Sequence, residues 1–132
     1  GAFYRQYNPR FDGVKWTLSQ SEANKRGISH LKSAGTHGLC DKPGYVCHGT
    51  HTGYAAINLA YHLGAKRVLL LGFDCHGKHW HPDHARKNPR QKDFDRWIDA
   101  YRRMDTLGME IINCTPGSAI DAFKTGRVDD YA

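Results

Sequence analysis

GTHTGYAAINLAYHLGAKRVLLLGFD, residues 49–74, is the stretch on which the fold turns. It opens with a tight polar loop, Gly49-Thr50-His51-Thr52-Gly53, directly after a short strand signal at Tyr45-Val46-Cys47. Residues 54–63 read as a helix by length, alanine content and the apolar spacing of Ala56, Leu59, Ala60 and Leu63. Thr50 or Thr52 can cap its start, and Gly64 can end it in the left-handed conformation. Residues 68–73, VLLLGF, then form a nearly continuous apolar run of strand length. A central parallel strand, covered on both faces, has this pattern.

Working outward, residues 74–90 form a long loop rich in His, Pro, Asp and Lys, and residues 91–107 a second helix. Phe94, Trp97, Ile98, Tyr101, Met104 and Leu107 share one stripe of that helix. Met109 to Asn113 reads as a short strand, Thr115-Pro116-Gly117-Ser118 as a turn, and residues 119–123 as the start of a short helix. Before the central stretch, residues 14–17 and 28–31 read as strands around a helix at 18–26, with Ser19 or Ser21 near its cap. The alternation of strand and helix predicts an α/β fold, with parallel strands joined by right-handed crossovers. We expect one domain over residues 1–132, a core at about 44–123 and a loose tail at 126–132.

Composition narrows the class. The 132 residues are ordinary for a soluble globular domain, at 39% hydrophobic and 24% charged. No apolar run approaches the roughly 18 residues a bilayer span needs, so no membrane partner is expected. No signal-peptide pattern is present, and the chain opens at Gly1, which suggests a piece cut from something longer. Nineteen Lys and Arg against thirteen Asp and Glu give a net charge of +6, which favours anionic partners. The basic residues are scattered, a pattern of a solvated surface more than of a nucleic-acid binder. Cys40, Cys47, Cys75 and Cys114 form no C-x-x-C pair and read as free thiols.

In open parallel sheets, ligands bind outside the carboxyl ends of the strands. The loops 48–53, 74–90 and 114–118 all leave such ends, and they carry most of the chemistry. In the first, Gly49 and Gly53 let backbone approach an anion, while Thr50 and Thr52 add donors beside a helix N-terminus. Thr115, Gly117 and Ser118 repeat that logic at the end of another strand. Asp74 follows the central strand, where a carboxylate meets a ribose hydroxyl or a Mg²⁺ ion. The densest group is Asp74-Cys75-His76-Gly77-Lys78-His79-Trp80-His81-Pro82-Asp83-His84. Its histidines can be base, acid, phosphate donor or metal ligand near neutral pH. Asp83 could orient His81 or His84. A zinc site on His79, His81 and His84 is an alternative, although the spacing matches no standard closed zinc site. His48 and His51 flank the first loop and are candidates to face the same cleft.

These residues also carry a resemblance. The 49–74 stretch, followed by HWHPDH, an N-P pair, a helix with F-x-x-W and INCTPGSAI, resembles the phage proteins called norphogenetic. Those look related to the superfamily of MptE-like hydroxymethylpterin pyrophosphokinases and motility accessory factors, and more distantly to bacterial sialyltransferases. The resemblance covers roughly residues 49–123. It implies a three-layer Rossmann-like fold with a mostly parallel sheet, lacking its first strand–helix unit, and a nucleotide-binding transferase in the cytoplasm of a bacterial host. His51 stands where such loops usually have a small polar residue.

The expected function is thus a nucleotide-dependent transferase, moving glycosyl from a nucleotide sugar or diphosphate from ATP, with Mg²⁺ as a companion. Gly49, Thr50, Thr52, Gly53, Thr115, Gly117 and Ser118 would hold phosphates, and Asp74 ribose or the metal. His81 or His84, with Asp83 and His79, would handle the proton. Two alternatives stand beside it: a non-catalytic nucleotide-binding phage module, and a zinc-dependent hydrolase or zinc-stabilised protein built on the His76–His84 loop. The oligomeric state is left open.

Overall fold

The computed structural model describes residues 12–78 and 88–131. Its contacts divide the chain into two compact units, Gly1–Lys32 and Ser33–Ala132. In the first, β1 (Trp16–Thr17) and β2 (Ser29–His30) pair in parallel across α1 (Gln20–Arg26). Local chemistry sets the helix ends. The Ser19 hydroxyl accepts the Glu22 N–H at 3.3 Å, and Gly27 closes the helix in the left-handed region at φ 62°.

β3 (Lys32–Gly35) starts on the last residue of the first unit and runs into the second, which then holds β4 (Tyr45–Cys47), α2 (Thr52–His62), β5 (Arg67–Leu70), α3 (Gln91–Arg102), β6 (Glu110–Asn113) and β7 (Lys124–Thr125). β3 pairs with β4, while β5, β6 and β7 form a parallel sheet in that order. The register sets Val68 beside Ile111 and Leu70 beside Asn113. The architecture is α/β with small, mostly parallel sheets. Its core joins Tyr54 and Ile57 of α2, Leu70 of β5, Ala100 and Tyr101 of α3, and Ile111 of β6. Among the described residues, no helix is long and apolar enough to cross a membrane.

Several expectations need correction. The apolar run 68–73 does not make a central strand: β5 ends at Leu70, has β6 as its one strand neighbour among the described residues, and leaves Leu71 60% exposed. The middle position belongs to β6, whose Ile111, Ile112 and Asn113 are all buried. Helix α2 turns a different face inward than its apolar spacing predicts. It buries Tyr54, Ala55, Ile57 and Asn58 and leaves Leu63 70% exposed. The cause is Asn58, which is fully buried because it clamps the backbone. Its Oδ1 accepts from the N–H of Cys40 at 2.9 Å and of Cys47 at 2.8 Å, and its Nδ2 donates to the Cys40 carbonyl at 2.9 Å.

Helix α3 stops at Arg102, five residues before the expected 107. Asp105 accepts the Leu107 N–H at 3.0 Å, and Leu107 and Gly108 turn left-handed at φ 49° and 80°, delivering Met109 to the core. Residues 119–123 are not helical. Ala119 N–H donates to the Asp74 carbonyl at 2.8 Å, and the Ile120 carbonyl accepts from Asn113 Nδ2 at 3.2 Å. Neighbouring loops therefore take the groups a helix would pair with itself. The tail read as loose carries contacts: Gly126 N–H donates to the Asn113 carbonyl at 3.2 Å, and the Arg67 guanidinium lies 5.0 Å from the Tyr131 ring centre.

Candidate functional site

The chain leaving β5, the start of α2 and the first half of α3 enclose an open pocket of about 350 Å³. It lies off the carboxyl end of β5, where parallel sheets place their ligands. Gly72 to His76 and Lys78 form one wall, His51 and Gly53 another, and Pro89, Phe94 and Trp97 a third. The Phe94 and Trp97 rings meet edge to face, 5.5 Å apart at 87°.

Helix α2 contributes through its N-terminus. His51 is its N-cap residue but makes no side-chain cap, and the first turn carries no acidic residue. The first N–H groups of a helix have no intrahelical acceptors, and the dipole adds positive potential there. The His51 ring sits in an aromatic nest, with centroids 5.1 Å from Trp97, 5.3 Å from Tyr101 and 6.2 Å from Tyr54. Burial pulls its pKa from 6.5 to about 4, so the imidazole is neutral at pH 7. Trp97 ties this wall to the loop, its indole N–H donating to Thr50 Oγ1 at 3.1 Å.

The wall after β5 carries Asp74, His76 and Lys78 beside the Cys75 thiol. Burial, and secondarily the Asp74 charge, pushes that thiol up to about 11, so it stays protonated and is a poor nucleophile. Hydrogen bonds to the next loop hold the wall in place. Thr115 Oγ1 donates to the Leu70 carbonyl at 3.2 Å and accepts the Phe73 N–H at 3.0 Å. Ser118 Oγ donates to the Phe73 carbonyl at 2.6 Å. His76 Nε2 donates to the Gly117 carbonyl at 3.1 Å.

Of the residues expected to hold a nucleotide, Gly53 and Asp74 line the pocket. Gly49, Thr50, Thr52, Thr115, Gly117 and Ser118 do not line it. Close packing explains both glycines of the first loop. A Cβ on Gly49 would come within 2.4 Å of the Tyr54 ring, and one on Gly53 within 2.9 Å of the Phe73 ring. The proton-handling set, His79, His81, Asp83 and His84, lies outside the described residues, and with it the zinc ligands of the alternative reading. Among the described residues, no group of three or more His, Cys, Asp or Glu side chains is placed to hold a metal ion. The stripe read from the sequence as core is buried at Phe94, Tyr101 and Met104, while Phe94 and Trp97 also line the pocket, which the sequence reading did not assign to them.

Set beside known proteins, the chain matches no protein-family model, no curated protein and no solved structure.

Proposed function

We propose that the chain is a nucleotide-dependent transferase of Rossmann-like, three-layer design, moving glycosyl from a nucleotide sugar or diphosphate from ATP. One observation carries the reading: a single pocket joins an aromatic wall, a carboxylate, a lysine and an uncapped helix N-terminus. Each suits one part of a nucleotide. Trp97, backed by the buried Phe94, offers a ring for a base. Asp74 accepts ribose hydroxyls. Lys78 and the first N–H groups of α2 meet phosphate oxygens. Thr115 and Ser118 serve by bracing the Asp74 wall. Any Mg²⁺ accompanying the phosphates would have Asp74 as its nearest carboxylate ligand among the pocket residues.

In the transfer, an acceptor hydroxyl gives its proton to a base as its oxygen bonds to the sugar carbon or to phosphorus. The bond to the departing phosphate group breaks, and that group keeps the electron pair. His81 or His84, oriented by Asp83 and aided by His79, is the base of this reading.

Calorimetric titration with ADP, UDP, CMP and a panel of nucleotide sugars tests binding. At least one should bind, and Lys78→Ala and Asp74→Asn should each weaken it about tenfold, the worth of one charge-assisted hydrogen bond. No binding by wild-type protein at millimolar ligand removes the reading. Turnover is then followed by ³¹P NMR. His81→Ala should bind normally and turn over nothing, and equal turnover would strip His81 of its role. Binding without turnover in the wild type supports the non-catalytic module. The pocket's own neutral His51 and protonated Cys75 favour that second reading, because neither is a strong base at pH 7.

A further inference from the structure

Among the described residues, two buried side-chain polar atoms have no hydrogen-bond partner: Nε2 of His51 and the hydroxyl of Tyr101. They belong to the same nest. The two rings lie 5.3 Å apart at 66°, edge to face, and Tyr101 is only 1% exposed. Their chemistry is complementary. A phenol donates one hydrogen bond, and a neutral imidazole carries one accepting nitrogen. Burial keeps both in those forms, holding His51 neutral and raising the Tyr101 hydroxyl far above its ordinary value. An unpaired donor and an unpaired acceptor in one dry nest each carry a desolvation penalty that their pairing removes.

We propose that Tyr101 is a positioning residue: its hydroxyl donates to His51 Nε2, fixing the Nδ1–H tautomer, so that the imidazole presents a neutral N–H donor to an anionic group in the pocket. In the arrangement described neither atom has a partner, so the pair requires the two side chains to shift toward each other. With Nε2 buried, Nδ1 is the ring nitrogen left to meet a ligand, and among the described pocket residues His51 is the imidazole that stands at an uncapped helix start. Its donor adds to the N–H groups of that first turn. A neutral donor keeps its strength through the physiological pH range, which a titrating imidazole does not. The ligand half rests on the nucleotide reading; the tautomer half rests on the nest alone.

The test reads the two halves separately. Long-range ¹H–¹⁵N spectra of the full chain, with His51 assigned by its loss in His51→Gln, report which ring nitrogen carries the proton. The expected result is Nδ1–H in wild type and reversion to the commoner Nε2–H in Tyr101→Phe. Nε2–H in wild type, or Nδ1–H unchanged in Tyr101→Phe, overturns the proposal. Tyr101→Phe removes only the hydroxyl and keeps the ring that packs in the nest, and a thermal melt confirms that it folds. If it does not fold, the wild-type tautomer decides alone.

Inorganic pyrophosphate, the anionic part common to both donor classes, probes the ligand half. Its affinity should fall about three- to tenfold in Tyr101→Phe and in His51→Phe, the worth of one neutral hydrogen bond. Unchanged affinity in both variants overturns the donor role. Failure of the wild type to bind pyrophosphate or any nucleoside diphosphate overturns the nucleotide reading instead, and the tautomer spectra then judge the Tyr101–His51 pair.

Discussion

The turns after β4 and after β6 look alike on paper. Each sets glycine and threonine between a strand and the next element, and each reads as a cradle for phosphate. Their side chains nevertheless serve different ends. The first turn sends His51 and Gly53 to the pocket wall. The second turn commits Thr115 and Ser118 to the backbone of residues 70–73. Turn chemistry specifies a backbone shape and a supply of donors. Which partner takes those donors is decided by what the tertiary fold brings near.

Breaking the first turn should cost most. Gly49→Ala meets the Tyr54 ring and a left-handed backbone at φ 50°, so we expect a loss of about 4 kcal/mol in urea unfolding, strain and overpacking together. The same change at Gly117, φ 70° with nothing within 4 Å, should cost only about 1 kcal/mol. Equal losses would erase the contrast between the turns.

Acid sharpens the contrast next. His51 has a pKa near 4 when folded and about 6.5 when unfolded, so between those values the unfolded chain binds a proton that the folded chain does not. Its contribution is whole above 6.5 and declines as pH falls toward 4, by at most roughly 3 kcal/mol. Unfolding midpoints should therefore drop faster with acid in wild type than in His51→Gln. Parallel curves would mean that the ring is not buried as described. In the second turn, Thr115→Val strands the Phe73 N–H and should cost about 2 kcal/mol in the same assay, with nucleotide affinity, where found, reduced only through a looser Asp74 wall.

Much of the frame was legible. Strands β4, β5 and β6 and helices α2 and α3 follow from apolar runs and periodicity, which are local properties of the chain. The inward face of α2 was not legible, because Asn58 is buried for the sake of Cys40 and Cys47, eighteen and eleven residues away. Residues 119–123 were misread for a similar reason: the Asp74 carbonyl and the Asn113 side chain, not helix propensity, decide their path. Within the site, Asp74 and Gly53 could be placed from strand ends and turn chemistry. The nest around His51 could not, since Tyr54, Trp97 and Tyr101 meet only after α3 packs beside α2. The hints were the unusual histidine in a small-residue loop and the aromatic stripe of α3, whose link is visible only in three dimensions.

Trp97 has one more consequence. Its ring faces the pocket while its N–H is tied to Thr50. A molecule entering beside that indole changes the surroundings of an intrinsic fluorophore. With Trp16 and Trp80 replaced by phenylalanine, the emission of the remaining tryptophan would report occupancy directly, giving the protein its own optical sensor without any attached dye.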